Sequence, residues 1–593
     1  MTALDLSVFG IYLVGLLAMA CVFVRLRTTR EMFAAGGQSP WWLSGLSAFM
    51  TTFSAGTFVV WGGIAYRDGL VGVSLIAVLG ISALMVGWLL AKRWKRFGYY
   101  SAAEFLHDRF GRSIVQFYTW LQGTLSMITM GGAVYALSVI VTALVPLPEG
   151  HLLVDDATGH LSVTVVSLVL CVVIIAITFS GGLWAVLVTD ALQFIILTVS
   201  VLIVVPLIIH RVGGAEEFVT SAPDNFFSPV AGEFTWFFLA GWCLIFFFKM
   251  GGEWAYVQRF ACVPSARDAR KSSILFGLLY LVSPLIWMLP PMAYRLIDPN
   301  ADHEQAYILA CQLVLPAGVL GLTIAAMCSA TASMVTTQLN VFAGAFTTEL
   351  YRGAIRPSAG QRELVLAGRI ITLLLGGLVI AGALLIPRLG TYTGFILSSM
   401  ALLTGPFVLP TIWGLFSRKI GLGAAWSVTL LGTVVSMGVK IGATEGGFFE
   451  RLGLLGPITE LLQRNPRSTD IVVGIGFPLV LLLVAEFLYR KESPGWARVR
   501  RHREEYRQEA AVPSSPLPAR LCALSTGLVA LLLAILGVIS AEDRLIIGLF
   551  SAVLFLISAA IFYFAHRLRP RSDDANRSGD AQTTKPETEQ PSR

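Results

Sequence analysis

Long apolar stretches follow one another along almost the whole chain, separated by short polar segments. About 20 apolar residues cross the hydrocarbon core of a bilayer as an α-helix, which satisfies its backbone hydrogen bonds internally. The composition agrees, because 55% of the residues are hydrophobic and only 13% are charged, whereas soluble domains carry about 25% charged residues. The sequence therefore predicts an all-α polytopic membrane protein with about fifteen transmembrane helices. The predicted spans are 4–26, 41–65, 70–91, 113–145, 162–180, 184–209, 235–257, 272–294, 317–341, 365–387, 390–416, 420–442, 469–489, 519–540 and 544–565.

Lysine and arginine concentrate in every second connecting segment, for example in KRWKR at 92–96 and QRFACVPSARDARK at 258–271. By the positive-inside rule, this alternation predicts a plasma-membrane protein with its N-terminus outside and its C-terminus in the cytoplasm. The net charge of +7 is accordingly interpreted as a topology signal, and nucleic acid is not predicted as a partner. The basic segment 491–518 is predicted to be a solvated cytoplasmic linker, and the polar tail 567–593 to be disordered.

Sequence motifs of several other protein classes are missing. The chain has no GxxxxGK[ST] phosphate-binding loop, no polar stretch long enough for a kinase domain, and no catalytic constellation within the predicted spans. An enzyme is therefore not predicted, and a transporter driven by an ion gradient is the leading interpretation. The seven cysteines are scattered without a CxxC pair. They are expected to be small buried residues without disulfide bonds or transition metals.

The predicted span 41–65 carries a polar cluster at its centre, formed by Thr51, Thr52, Ser54, Gly56 and Thr57. Hydroxyl groups in a membrane helix can bond to a carbonyl one turn earlier or to a neighbouring helix. Four hydroxyls with a glycine favour local unwinding instead, which is tolerated where the segment is buried in protein or lines a cavity. The freed carbonyl groups can then bind cations.

The predicted span 235–257 has a similar interruption, because Gly251 and Gly252 stand in tandem between Lys249 and Glu253. Lys249 and Glu253 are four residues apart and can neutralise each other on one helix face. The alternative is that the helix breaks and both charges face a water-filled cavity. We predict the break, since each glycine costs a helix about 1 kcal/mol relative to alanine.

Asp190 is the one charged residue between Leu161 and Ile209. An ionised aspartate at the centre of a membrane helix costs roughly 2.5 to 3.5 kcal/mol, so something must offset its charge. Protonation or hydrogen bonds alone are one explanation. A polar stripe in the span 317–341 is a candidate partner, although such a stripe can also be a helix-packing contact. Its members are Ser329, Ser333, Thr336, Thr337 and Asn340.

These features resemble the sodium:solute symporters, the family of sodium-coupled sugar, proline, iodide and sialic acid carriers. The resemblance extends from Leu4 to about Arg490 and is most specific at SGGLWAVLVTDALQF, around Asp190. Further matching motifs are SPWWLSGLSAFMTTFSAGTF, SAAEFLHDRFG, VQR, CSATASMVTTQLNVFAGAFTTELY and GPFVLPTIWGLFSRK. The resemblance implies a leucine-transporter-type fold, in which 41–209 and 235–416 form two five-helix repeats of inverted topology.

The resemblance also implies a division into a symporter core and a C-terminal part. The core covers 1–490, adding the first helix 4–26 and the helices within 420–489 to the two repeats. The C-terminal part contains the basic linker and two extra helices within 519–566. These two helices lie outside the repeats and are expected to be dispensable for transport.

The family's principal sodium site would correspond to backbone carbonyls at Met50, Phe53 and Ala330 and to two adjacent hydroxyls. Ser333 matches the first hydroxyl, but Met334 stands at the second position. A thioether is a poor ligand for a hard cation that prefers oxygen. This departure weakens the site or makes it depend on water or a neighbouring threonine.

Some members of the family have an additional sodium site, which would correspond to Asp190, Ser333, Thr336 and Thr337. The spacing of the three hydroxyl residues lets their oxygens point to one side of a helix and converge on a carboxylate of a facing helix. Sodium there would neutralise Asp190. A proton-coupled symporter is the open alternative, because a buried carboxyl can also bind a proton.

The substrate is expected to be a small organic solute, bound by Thr52, Ser54, Thr57, Lys249 and Glu253. A hexose is disfavoured, because Thr52, Thr57 and Ile76 stand where the sugar carriers have Asn, Gln and Glu. Lys249 favours a small carboxylate. Sodium is the predicted coupling ion, and no other cofactor is expected. A transporter-like membrane sensor is the second interpretation.

Overall fold

The computed structural model describes residues 2–22, 35–145, 151, 153–155, 159–178, 183–385, 392–444, 447–451, 460, 462–506, 516–539 and 544–567. These residues are almost entirely helical, with one antiparallel hairpin between Val154–Asp155 (β1) and His160–Leu161 (β2). The helices are α1 Ala3–Val22, α2 Trp41–Thr51, α3 Thr57–Trp61 with Gly62–Asp68, α4 Leu70–Phe97, α5 Ala102–Phe110, α6 Arg112–Ala143, α7 Val163–Thr178, α8 Leu183–Val212, α9 Ala215–Thr220, α10 Trp236–Gly252, α11 Trp254–Ala261, α12 Ala266–Ile297, α13 Ala306–Val314, α14 Val319–Ile355, α15 Gln361–Leu385, α16 Tyr392–Phe416, α17 Leu422–Gly442, α18 Phe448–Arg451, α19 Pro466–Leu488, α20 Pro494–Tyr506, α21 Leu517–Ile539 and α22 Arg544–Arg567.

Each predicted span contains a helix. In the described part of the chain, eleven helices are long and apolar enough to cross a membrane, and the bent pair of α10 and α11 brings the number to twelve. α14 runs well past its predicted end at 341, because an apolar run marks the part of a helix that fits lipid and not the whole helix. The polar or short helices α5, α13 and α20 were not predicted for the same reason.

Two groups of four helices form the core. The first group combines α2, α4, α10 and α12, and the second combines α6, α7, α14 and α15. α8 and α16 each contact both groups. Each group draws two helices from each predicted five-helix repeat, so the two predicted repeats are intertwined.

Glycines allow a close helix crossing in each group. α4 and α12 approach at Gly80 and Gly277, and α6 and α15 approach at Gly131 and Gly382. A Cβ atom on any of these glycines would collide with the backbone of the facing helix. Small residues are what allow helices to approach this closely in a membrane, where dispersion contacts replace the hydrophobic effect.

The basic linker contains a helix, so the expectation of a solvated loop across 491–518 is wrong for this part. α20 packs against α5 and the end of α4. Beneath it, the buried guanidinium of Arg109 donates hydrogen bonds to Gly414 O, Ser417 O and Ser493 Oγ. Burial lowers the pKa of Arg109 to about 10, so this side chain stays protonated at neutral pH. α20 docks through the apolar side chains of Trp496 and Val499, which are three residues apart on one helix face and are buried.

The last two helices form a hairpin, and both of them pack on α8. Ser551 Oγ donates to Ala530 O and Ser558 Oγ donates to Ala523 O, both at 2.7 Å. The tail that was predicted to be disordered lies outside the described residues beyond Arg567.

Most cysteines whose side chains the structure describes are small core residues. Six have described side chains, which are free thiols, and all of these except Cys243 are buried. The side chain of Cys21 lies outside the described part of the structure.

Candidate functional site

The first helix break lies between α2 and α3, in the predicted polar cluster. α2 ends at Thr51, the next three residues are not helical, and α3 starts with a π-helical turn. Hydroxyl groups satisfy the freed backbone: Ala55 N donates to Thr331 Oγ1 of α14 at 2.9 Å, and Ser54 N donates to Thr57 Oγ1 at 3.2 Å. The predicted unwinding is confirmed, and Thr331 is a partner that sequence reasoning missed.

The second break separates α10 from α11 and confirms the predicted interruption. α10 ends at Gly252, and Glu253 is extended with φ −68° and ψ 138°. α11 then begins at Trp254 and leaves at a bend of 55°. Trp94 Nε1 donates to Gly251 O at 2.7 Å, so one of the carbonyls at the end of α10 keeps a partner.

The tandem glycines also serve packing. A Cβ at Gly251 would overlap Leu90 of α4, and a Cβ at Gly252 would lie 2.6 Å from Val408 Cγ1 of α16. The glycines therefore let α10 approach both neighbours, and the extended residue is Glu253, one position later.

Both breaks line one cavity of about 100 Å³. This volume suits a small solute, because pockets for drug-sized ligands measure about 300 to 1,000 Å³. The cavity is lined by all five predicted substrate residues, Thr52, Ser54, Thr57, Lys249 and Glu253. Ile76 and Met334 also line it, together with Tyr256, Tyr280 and Gln338, which were not predicted.

Lys249 and Glu253 combine the two alternatives that the sequence left open. Lys249 Nζ lies 3.8 Å from Glu253 Oε2, and the side chains are 20% and 15% exposed. Gln338 Nε2 of α14 donates to Glu253 Oε1 at 2.9 Å. The two charges thus pair with each other and also face the cavity.

The residues predicted for the principal sodium site lie where α2 ends beside α14. Met50, Phe53 and Ala330 are fully or almost fully buried. Met50 O accepts a hydrogen bond from Phe53 N at 3.0 Å, and a carbonyl oxygen has a second lone pair. Backbone carbonyl oxygens at a helix break are ligands that fit sodium, whereas Met334 is one of the residues that line the cavity.

Asp190 is held by two hydroxyl groups and one arginine. Ser333 Oγ donates to Asp190 Oδ1 at 2.5 Å, and Ser47 Oγ donates to Oδ2. Arg259 Nη2 lies 3.9 Å from Asp190 Oδ2, and these two side chains are 2% exposed or less. Arg259 therefore supplies the positive charge that offsets the buried carboxylate.

The same guanidinium contacts part of the predicted additional sodium site. Arg259 donates from Nη2 to Thr337 Oγ1 at 3.2 Å, from Nε to Ser47 Oγ at 2.9 Å and from Nη1 to Gln258 Oε1 at 3.0 Å. Thr336 is buried on the same helix as Thr337.

The assignment of Arg259 to a basic loop at 258–271 is wrong, because the bend at Glu253 carries α11 into the protein and buries Arg259. The VQR motif was the available signal for this residue.

The fold is of the leucine-transporter type. A solved Na+-coupled sialic acid symporter in a substrate-bound outward-open state matches 83% of this chain and 99% of its own, with a TM-score of 0.63 and 20% identity. Mhp1, a nucleobase-cation-symport-1 family transporter in a closed conformation, matches 80% of this chain and 99% of its own, with a TM-score of 0.50 and 12% identity. At these identities the likeness concerns the fold alone.

The chain belongs to the sodium:solute symporter family, whose model matches residues 32–432. It is 26% identical over 539 residues to solute carrier family 5 member 4B of Mus musculus, a match over 82% of this chain and 73% of that protein. It is also 26% identical to sodium/glucose cotransporter 4 of Danio rerio, over 73% of this chain and 71% of that protein. The expected class is confirmed: the chain is a multi-pass membrane protein that carries a small solute together with sodium.

Proposed function

We propose that the solute binds in the cavity between the two helix breaks and crosses the membrane with sodium by alternating access. The observation that carries this proposal is that the break after α2 and the break after α10 line the same cavity. Irregular backbone at membrane depth is tolerated where it lines a cavity, and broken helices are where transporters bind substrates and coupling ions. Each break also falls in the first span of its predicted five-helix repeat.

Sodium is proposed to bind the carbonyl oxygens of Met50, Phe53 and Ala330 and the hydroxyl oxygen of Ser333. Met50 lies in the last turn of α2, which ends at Thr51, and Phe53 lies within the break. An ion at this position would hold the break in the conformation that lines the cavity. Binding of sodium and binding of solute would therefore favour the same conformation, which is the requirement for coupling.

The set of Asp190, Ser333, Thr336 and Thr337 is proposed as a second sodium site that requires Arg259 to move. The guanidinium contacts both Asp190 and Thr337 in this structure. Sodium can replace it only in a conformation where Arg259 withdraws. If Arg259 stays, Asp190 is part of a structural ion pair, and coupling rests on the sodium site at Met50, Phe53, Ala330 and Ser333. A proton-coupled symporter, with Asp190 as the proton carrier, is the alternative.

The proposed orientation in the plasma membrane has the N-terminus outside and the C-terminus in the cytoplasm. Two basic segments far apart in sequence support it, because they meet on one side of the protein. Lys95 Nζ lies 6.0 Å from the ring centroid of Tyr506, and the guanidinium of Arg503 lies 5.8 Å from that of Phe97. This is the clustering that the positive-inside rule requires.

Uptake by purified protein in proteoliposomes, under imposed sodium or proton gradients, tests the proposal. We expect sodium to drive accumulation, and Ser333→Ala to weaken its dependence on sodium. Sodium-driven uptake that survives both Asp190→Asn and Thr337→Ala with unchanged sodium dependence excludes the second site. Uptake driven by protons alone would replace sodium as the coupling ion.

A further inference from the structure

We infer that the cavity takes a small zwitterion, with its anionic group at Lys249 and its cationic group at Glu253 and Gln338. This inference rests on the proposed function, since it names the chemical class of the solute carried through the same cavity.

The charged residues that line the cavity have a net charge of zero. Lys249 and Glu253 are the one cation and the one anion among the described residues that line the cavity. Their separation of 3.8 Å exceeds the 2.7–2.9 Å of a strong charge-assisted hydrogen bond, so each can take a further partner. A solute with a net charge would leave one charge uncompensated in a site partly shielded from water, which is unfavourable. The wall therefore favours a solute that is neutral overall.

Gln338 indicates which group of the solute faces Glu253. Its side chain is buried, with 5% exposed, and it lines the cavity. Nε2 donates to Glu253 Oε1, while Oε1 has no hydrogen-bond partner within the described residues. A buried acceptor without a partner is costly, so a donor is needed there. An ammonium group would donate to Gln338 Oε1 and to the Glu253 carboxylate together.

Lys249 provides the opposite polarity. It lines the cavity, and its Nζ lies 3.8 Å from Glu253 Oε2. A carboxylate of the solute can pair with this ammonium group in a charge-assisted hydrogen bond. The anionic group of the solute is therefore placed at Lys249.

Hydroxyl groups that a sugar would use are already engaged. Thr52 Oγ1 accepts from Tyr280 Oη at 2.7 Å and donates to Phe49 O at 3.0 Å. Thr57 Oγ1 accepts from Ser54 N at 3.2 Å. A polyol would have to displace these contacts in a cavity of about 100 Å³. A small zwitterion needs fewer partners, and the partners it needs are charged.

Thermal unfolding of the purified full chain, with and without sodium, tests the inference with probes that differ in charge. L-alanine, β-alanine and L-proline are the zwitterions, propionate is the anion, ethylamine is the cation, and glycerol and glucose are the polyols. We expect sodium-dependent stabilisation by at least one of the zwitterions and none by the other probes. N,N,N-trimethylglycine, which lacks N–H donors, should bind at least tenfold more weakly because Gln338 Oε1 would stay unpaired.

Charge-removing variants make the test specific. Lys249→Gln and Glu253→Gln should each weaken zwitterion binding at least tenfold. In Lys249→Gln the cavity keeps the negative charge of Glu253 and should bind ethylamine more tightly than the wild type does. In Glu253→Gln it keeps the positive charge of Lys249 and should bind propionate more tightly. Lys419→Gln is the matched control, because Lys419 forms a similar ion pair of 3.9 Å with Glu486 elsewhere. It should leave the response unchanged.

The outcomes separate this inference from the function on which it rests. Sodium-dependent binding and uptake of glucose or propionate would keep the symport function and overturn the zwitterion. If none of the zwitterions raises the unfolding temperature, the inference is overturned. If uptake of every probe is also independent of sodium, the proposed function is overturned as well. The wild-type probe series decides the result even if a variant fails to fold.

Discussion

At the scale of single residues, Asp190 and Arg259 form a buried ion pair that connects four helices. Asp190 lies on α8 and Arg259 on α11, while Ser47 of α2 and Thr337 of α14 complete the hydrogen bonds. Taking two charges out of water is costly, and only close pairing offsets that cost. Removing one member leaves an uncompensated charge, which typically costs about 3 to 5 kcal/mol.

Arg259→Gln is expected to lower the unfolding temperature strongly, and Asp190→Asn in the same chain is expected to restore much of the loss. The physical reason is that the double variant carries no unpaired buried charge. A double-mutant cycle of thermal unfolding, without and with sodium, measures the coupling. If Arg259→Gln alone kept its stability and bound sodium more tightly, the guanidinium would instead be a competitor of the ion.

Thr331→Val is expected to destabilise the protein by about 1 to 3 kcal/mol, because Ala55 N would lose its partner at the first break. Valine has nearly the shape of threonine, so the change isolates the hydroxyl group. Thr331→Ser keeps the hydroxyl and serves as the control. Equal unfolding temperatures for the two variants would show that Ala55 N finds another partner.

At the scale of elements, the two helix breaks have different causes. The first follows from a cluster of hydroxyl residues that can bond to freed backbone, both locally and from α14. In the second, the glycines end α10 within close contact of α4 and α16, and Glu253 turns the chain. Glycine there provides room for packing as well as weakening the helix.

Replacing both Gly251 and Gly252 by alanine is expected to impair transport more than folding. The added methyl groups meet the side chains of Leu90, Ile412 and Val408, and such overpacking typically costs about 1 to 3 kcal/mol. It would also press α10 away from α4 and α16 beside the cavity. Uptake and unfolding temperature, measured on the same preparation, test this. Normal uptake by a destabilised double variant would contradict it.

At the scale of the whole molecule, the core and the C-terminal hairpin differ in their contacts. The residues that line the cavity and those of both proposed sodium sites lie in the two helix groups, at the two helix breaks and in α3, α8, α11 and α16. The hairpin of α21 and α22 contacts the core mainly through α8 and contributes no residue that lines the cavity in the described structure.

A chain that ends after about residue 515 is expected to retain sodium-driven uptake, because the cavity and the proposed sodium ligands all precede that point. Its unfolding temperature should fall moderately, since α8 loses its contacts with the hairpin. Uptake per correctly folded molecule is the measurement. A truncated protein that inserts normally but neither binds nor moves solute would show that the hairpin belongs to the transport machinery.

The sequence by itself determined the helical spans and the position of the two breaks. A helix in lipid must be apolar for about 20 residues and must bond its own backbone, so the span is a local property of the chain. Gly251 with Gly252, and the hydroxyls from Thr51 to Thr57, mark the breaks locally as well. The motif around Asp190 identified the family, which the comparison with the family model confirmed.

The tertiary structure alone decided which polar groups meet. Thr331 satisfies Ala55 N across a separation of 276 residues, and Gln338 reaches Glu253 across 85. The sequence pattern indicates a loop position for Arg259, whereas the bend after α10 places this residue beside Asp190. Composition and spacing describe each helix separately, whereas these contacts depend on the rotation and crossing of helices that are distant in sequence. Packing sets that geometry, because close contact in the membrane is possible only where facing helices have matching shapes.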